Sequence, residues 1–238
     1  MPAPVGSSTC VLCAVAPGTT VEHIPAKLFF DRPLPDNLIT VPACAACNHG
    51  SQQDDEYLRA WMMLLRGHTP SQGIDNVRTR TVRQLNRPDR PGLRIGFQQG
   101  SELRAETDAD ADGQLGFGLF TRPDRARLWN VLVKYSRGLH FRATGEILPP
   151  DVQHSIERIF NRQTRPDEYW EPLLAAATYA RAGSVVTVGR HAEFEYSFRP
   201  VDRGDAISVM VLDFYRSFPY VAMLLKPGTD LAHIRLPF

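Results

Sequence analysis

The placement of its four cysteines is the feature that most constrains this chain. They form two pairs with the same spacing, Cys10-x-x-Cys13 and Cys44-x-x-Cys47, and all four lie in the first fifth of the 238 residues. A pair with this spacing binds a tetrahedral metal ion from one tight turn, and two pairs in a short span favour a closed zinc site. Two disulfides or four free thiols are the alternatives. We interpret the site as structural zinc, because four thiolates leave no coordination position for a substrate.

Polar residues suited to acid–base and metal chemistry lie between the cysteine pairs and just after them. The segment Glu22-His23-Ile24-Pro25 comes first, Asn37-Leu38 follows, and Asn48-His49 comes directly after the last cysteine. This arrangement resembles the HNH endonucleases, in the branch whose small ββα-metal (treble-clef) fold is held by a four-cysteine zinc. The resemblance covers roughly residues 8–66.

The resemblance implies a metal-dependent endonuclease that hydrolyses DNA phosphodiester bonds, with His23, Asn37 and Asn48 as its catalytic residues. His23 would act as the general base on water, and Asn37 would orient it. A catalytic magnesium or manganese ion would be held by Glu22 and Asn48, with His49 as a further candidate ligand. These residue types suit those roles, because histidine titrates near neutral pH and magnesium prefers oxygen ligands. Asn48 stands where the family more often has histidine, and the lysine often found after that position is missing.

Each of these residues also has a structural explanation when taken alone. His23 would be a hydrogen-bonded histidine, Asn37 a turn residue after Pro35-Asp36, and Asn48 a residue that satisfies backbone groups at a helix start. Two other functions therefore stay open. One is a non-catalytic zinc module that binds nucleic acid or protein, and the other is a nuclease that cleaves RNA.

Composition and charge limit the class of protein. A hydrophobic content of 43% predicts a packed core, and a net charge of +1 excludes a global basic field. No apolar run is long enough to cross a bilayer and no signal peptide opens the chain, so we expect a cytoplasmic protein with no membrane partner. The expected partner is nucleic acid, which would be bound by a few local cations rather than by an extended basic surface. The candidate phosphate contacts are Lys27, Arg32, Arg59 and Arg66.

The predicted fold class is α+β, with an N-terminal zinc-containing module over residues 1–66 and an α+β domain of unknown role over 94–238. Residues 67–93 are rich in arginine, glycine and proline, and we interpret them as a linker. The second domain is a candidate for homodimerisation. Its predicted helices cover 123–137, 150–160 and 172–182, a further helix covers 54–66, and 108–113 is an acidic hairpin turn. Predicted strands cover 115–121, 184–188, 193–199, 207–215 and 220–225, the last four forming an antiparallel sheet.

Overall fold

The structure is a computed structural model, and it describes residues 9–64, 72–88, 94, 101–105, 117–121, 123–159, 167–202 and 204–230. The chain is α+β, as the sequence predicts. Its described helices are α1 (Ala45–Gly50), α2 (Gln52–Leu64), α3 (Gln72–Leu85), α4 (Arg125–Thr144) and α5 (Asp167–Arg181). Its described strands are β1 (Thr20–Ile24), β2 (Ile39–Ala43), β3 (Ser101–Ala105), β4 (Phe117–Thr121), β5 (Gln153–Arg158), β6 (Ser184–Val188), β7 (Phe194–Pro200), β8 (Ala206–Phe214) and β9 (Phe218–Leu225).

An antiparallel sheet with the strand order β5-β9-β8-β7-β6 organises the C-terminal part of the chain. Side chains alternate between the two faces of each strand, so each face can bury its own apolar set. In β8, Met210 and Leu212 contribute to the main core, while Val209 and Val211 pack in a second cluster with the alanines of α5. The sheet is therefore covered on both faces.

The N-terminal segment packs on the first of these faces. Strands β1 and β2 form an antiparallel two-stranded ribbon in which His23 pairs with Thr40 and Glu22 with Val41. The main core joins Ile24 and Phe29 from this segment to Leu139 of α4 and Phe214 of β8. The cysteine-bearing segment and the C-terminal sheet thus share one hydrophobic core.

Helix α4 packs against both strands of the ribbon. It begins at Asp124, whose side chain accepts hydrogen bonds from the backbone of Ala126 and Arg127, and it ends at Gly145 with a left-handed φ of 77°. Gly138 lets the helix approach the ribbon closely, because a Cβ there would lie 2.7 Å from Cγ1 of the buried Ile24.

Replacing Gly138 by alanine should therefore destabilise the protein, although alanine is the better helix former. We expect a loss of about 1–3 kcal/mol in the free energy of unfolding, since overpacking moves Ile24 and the ribbon. Urea denaturation followed by circular dichroism measures this change. A gain of roughly 0.5–1 kcal/mol, as helix propensity alone predicts, would contradict the close approach.

Several predicted elements are confirmed and two are wrong. Helices α2, α4 and α5 and strands β4 and β6–β9 overlap their predicted ranges, although α4 continues seven residues past its predicted end and α5 begins five residues before its predicted start. The linker prediction missed α3, whose Ile74 and Val77 are buried, because the flanking glycines and prolines mark the ends of a helix rather than a continuous connection. The helix predicted over 150–160 is strand β5, which pairs along β9. Arg66 and the acidic turn over 108–113 lie outside the described residues.

Pairing with the distant strand β9 explains why the helix predicted over 150–160 is wrong. Val152 and Ile156 have the four-residue spacing of a helix face, yet hydrogen bonding to β9 gives this segment an extended conformation. None of the described helices has the length and apolar composition needed to cross a bilayer.

Candidate functional site

The four cysteines come together as the spacing predicts. Their Sγ atoms all lie within 4.8 Å of one another, and none of the four is in a disulfide. A zinc ion about 2.3 Å from each sulfur places the sulfurs roughly 3.8 Å apart, so the set fits a four-thiolate site. Among the described residues, this is the only group of three or more histidine, cysteine or carboxylate side chains close enough to share a metal ion.

Local backbone geometry shapes each cysteine pair. The first pair lies in a turn closed by hydrogen bonds from Cys10 N to Ala16 O and from Ala14 N to Cys10 O, both 2.8 Å. The second pair begins α1, where the Cys44 sulfur accepts a hydrogen bond of 3.4 Å from the backbone nitrogen of Cys47. The ribbon β1–β2 connects these two turns and brings them to one point.

The electrostatics of the cluster favour a bound cation. Burial raises the pKa of the Cys10 thiol, and burial together with the neighbouring sulfurs raises that of Cys47. At Cys13 burial opposes ionisation, yet backbone hydrogen bonds from Ala16 and Val15 lower the pKa to about 7. Four thiolates so close together repel one another, and a divalent cation is what offsets that repulsion.

The ribbon places the candidate base His23 and the candidate metal ligand Glu22 on opposite faces. Successive side chains of a strand point in opposite directions. Glu22 is buried against the protein, whereas His23 is half-buried on the outer face together with the exposed Val21. Burial and the nearby Lys27 lower the pKa of His23, so its neutral form, which can accept a proton, dominates at neutral pH.

Glu22 takes part in a buried ion cluster. Its Oε1 accepts a hydrogen bond of 2.8 Å from Lys134 Nζ, and the same ammonium lies 2.5 Å from Asp55 Oδ2 and 2.9 Å from Ser51 Oγ. Tyr135 donates a hydrogen bond of 2.7 Å to the other oxygen of Asp55. Lys134, Glu22 and Asp55 are all nearly inaccessible to water, so the cluster joins α4 to both β1 and α2 within the core.

The catalytic metal set therefore does not fit a divalent ion in this arrangement. The carboxylate of Glu22 already holds an ammonium on the inner face of the ribbon, while His49 is exposed on α1. Asn48 donates hydrogen bonds to Thr20 Oγ1 at 3.0 Å and to Val21 O at 3.1 Å, which fasten α1 to β1.

Asn37 also has a different environment from the one the resemblance implies. Its amide nitrogen donates to Thr187 O at 3.0 Å, and its oxygen accepts from Gly189 N at 3.2 Å. These bonds fasten the loop before β2 to the end of β6. Both groups of the amide thus serve this junction rather than His23.

Two of the candidate phosphate contacts are accessible and one is not. Lys27 and Arg32 are exposed near the ribbon. Arg59 is only 4% exposed and bonds to the side chain of Gln84, so its prediction as a phosphate contact is wrong. Arg59 lies within a continuous buried stretch of α2 that runs from Tyr57 to Met63, and burial lowers the pKa of its guanidinium.

Sequence reasoning missed Lys134, Asp55 and Ser51. Lys134 is one of three lysines in a chain rich in arginine, and it interrupts the apolar face of α4 between Leu132 and Tyr135. A charge on a buried helix face is the signal that would have indicated a buried partner.

Comparisons of the chain with protein-family models, with curated proteins and with solved structures gave no match.

Proposed function

We propose that this chain is a zinc-stabilised endonuclease that hydrolyses phosphodiester bonds of nucleic acid, DNA in the first instance, with His23 as its general base. The observation that supports this is the placement of His23 on the open face of a ribbon whose two ends are fixed by the cysteine cluster. The cluster and ribbon also suit the treble-clef fold that the sequence resembles. Zinc bound by Cys10, Cys13, Cys44 and Cys47 would hold the ribbon and take no part in the reaction.

In this reaction the neutral imidazole of His23 accepts a proton from water as the water oxygen attacks phosphorus. The bond from phosphorus to the leaving oxygen then breaks, and negative charge collects on that oxygen and on the phosphate. Lys27 lies close enough to His23 to lower the pKa of the imidazole, so its ammonium is the nearby cation able to offset that charge. No step is assigned to magnesium or manganese, because the predicted ligand set does not accommodate one.

Replacing His23 by glutamine should lower the rate of plasmid nicking by about 100-fold or more, since glutamine cannot accept the proton. Supercoiled plasmid is incubated with each protein, with and without added magnesium or manganese, and zinc content is measured in parallel. The His191→Gln variant is the matched control, because His191 is exposed and lies outside the ribbon.

The nicking rate of the parent protein should fall with decreasing pH only below 6.5, the usual pKa of imidazole, because the pKa of His23 is depressed.

A second candidate function is a non-catalytic zinc module that binds nucleic acid or protein. The pairing of Glu22 with Lys134 favours it, because that pairing occupies the carboxylate that a metal-dependent nuclease needs. Absence of cleavage by the zinc-loaded parent on plasmid, single-stranded DNA and RNA would overturn the nuclease and leave the binding module as the remaining candidate. Cleavage of RNA alone would move the substrate from DNA to RNA and keep the role of His23.

A further inference from the structure

A buried histidine lies between the end of α4 and the C-terminal sheet, away from the candidate site. His140 is 2% exposed, and its Nδ1 lies 3.1 Å from Oγ of the fully buried Ser208 on β8. Its Nε2 is inaccessible to water and has no hydrogen-bond partner among the described residues. The ring also packs edge-on against Phe198, with the two ring centroids 5.9 Å apart. These surroundings suit the neutral imidazole and offer nothing to a second ring proton.

A second histidine lies on the same face of the sheet. The strand register pairs Ser208 of β8 with Leu224 of β9, and Leu224 in turn with His154 of β5. Directly opposed residues of neighbouring strands share a face, and Leu224 belongs to the main core. Two strand spacings place the backbone of His154 about 10 Å from that of Ser208. The Nε2 atom of His154 is also inaccessible and has no hydrogen-bond partner among the described residues.

A permanent cation accompanies the two histidines. Arg137 comes one helical turn before His140 on α4 and is 5% exposed. Its guanidinium donates hydrogen bonds of 2.5 Å to Leu148 O and 3.2 Å to Pro149 O, which tie the helix to the segment that leads into β5. Both acceptors are neutral carbonyl groups, and arginine keeps its charge at any pH at which the protein is folded.

The charges around the two imidazoles disfavour protonation. Burial lowers the pKa of both histidines, that of His154 to about 4, and Arg137 lowers both further. The exposed Glu146 opposes this at His140. Among the described residues, Arg137 and Glu146 are the charged side chains that act on these rings. A proton on either ring therefore places a second positive charge near a buried guanidinium.

We propose that His140 and His154 form an acid-sensitive joint between α4 and the sheet. When both rings are protonated, three cations share one apolar layer, and the last two turns of α4 separate from β5 and β8. The same helix packs against both strands of the ribbon, so its release loosens the contact of the cysteine-bearing segment with the sheet. The joint does not depend on the proposed nuclease function, since it requires neither a substrate nor His23.

Urea denaturation of the parent and of His140→Asn/His154→Gln at pH 7 and pH 5 tests the joint. A histidine whose pKa is lower in the folded protein than its usual 6.5 destabilises the fold as pH falls below 6.5. Between pH 7 and pH 5 the unfolding equilibrium constant of the parent should therefore rise about tenfold or more relative to that of the double variant. An equal acid response in the two proteins would overturn the joint.

His191→Gln is the matched control, because it removes an exposed histidine from the same part of the chain. Its acid response should equal that of the parent. If it reproduces the response of the double variant, the two buried rings are not the cause.

Amide hydrogen exchange locates the opening. The exchange rates of residues 137–144 in the parent, divided by those in the double variant, should rise at least fivefold from pH 7 to pH 5, because the intrinsic pH dependence of exchange cancels in this ratio. The ratio for α2 should stay constant. An equal rise along the whole chain would contradict a local joint.

An NMR titration of the parent requires no variant to fold. The imidazole carbon-bound protons of His140 and His154, assigned in isotope-labelled protein, should keep their neutral-form chemical shifts at pH 6. Midpoints at or above 6.5 for both rings would overturn the joint even if the double variant is too unstable to purify.

Discussion

Replacing Cys44 by serine should leave the purified protein without a full equivalent of zinc and without a folded ribbon. A structural zinc site contributes about 10–16 kcal/mol of binding free energy in small zinc-dependent folds, which is comparable to the roughly 5–15 kcal/mol that stabilises a whole domain. Cys44 also begins α1 and accepts a hydrogen bond from Cys47, so the change removes a metal ligand and a helix cap together. Elemental analysis and a thermal melt by circular dichroism measure the two effects.

The control for this experiment is Ala45→Ser. It places a serine one position along, at an exposed residue that is not itself one of the four cysteines. This variant should keep the zinc content and melting curve of the parent. A Cys44→Ser protein with full zinc, or a parent that melts identically after a chelator has removed its zinc, would show that the cysteine cluster is not a structural metal site.

Replacing Lys134 by methionine should lower the free energy of unfolding at pH 7 by about 3–5 kcal/mol. The change leaves Glu22 and Asp55 buried without their cation, and removing one partner of a buried ion pair has a penalty of this size. Urea denaturation measures the loss. Lys226→Met is the matched control, because Lys226 is exposed and bonds only to a backbone oxygen among the described residues. It should change stability by less than about 0.5 kcal/mol.

The loss of stability caused by Lys134→Met should depend on pH. Burial raises the pKa of Glu22 and Asp55 above their usual values of 4.5 and 3.8, although Lys134 opposes this. A carboxyl group with a raised folded-state pKa favours folding in its protonated form, and this contribution is lost as pH rises through the folded-state value. Without Lys134 the folded-state values rise further. The stability difference from the parent should therefore shrink as pH falls from 7 toward 4.

A compensated variant separates lost charge pairing from lost packing. Lys134→Met combined with Glu22→Gln and Asp55→Asn removes all three charges and keeps the side-chain volumes close to the originals. It should recover more than half of the stability lost by the single change at pH 7. Equal instability of the single and compensated variants at every pH would contradict the ion cluster as the cause.

The parts of the fold that depend on neighbouring residues could be predicted from the sequence. The cysteine cluster follows from two short spacings, and β7–β9 follow from alternating or continuous apolar stretches rich in β-branched and aromatic residues. Helix α3 was within reach as well, because Ile74 and Val77 lie on one face. Its arginine-rich polar face and the glycines and prolines that flank it match the composition of a linker, so composition and period predict different structures for this segment.

The parts that depend on distant residues could not be predicted. Lys134 meets Glu22 across 112 positions of sequence, and Asn37 meets Thr187 across 150. No local period encodes either contact, since each exists only after the ribbon has packed on α4 and on the sheet. The candidate site residues are polar and near the cysteines in sequence, whereas the partners of their side chains are set by tertiary packing.

The shared core has a consequence for any attempt to separate the cysteine-bearing segment from the rest of the chain. Phe29 and Phe30 are completely buried, the ring of Phe29 lies 5.3 Å from that of Phe214, and Tyr215 donates a hydrogen bond of 2.7 Å to the Phe29 oxygen. A truncated product ending near residue 66 would expose these rings to water. Transfer of the segment into another protein would therefore have to carry the complementary helix and sheet with it.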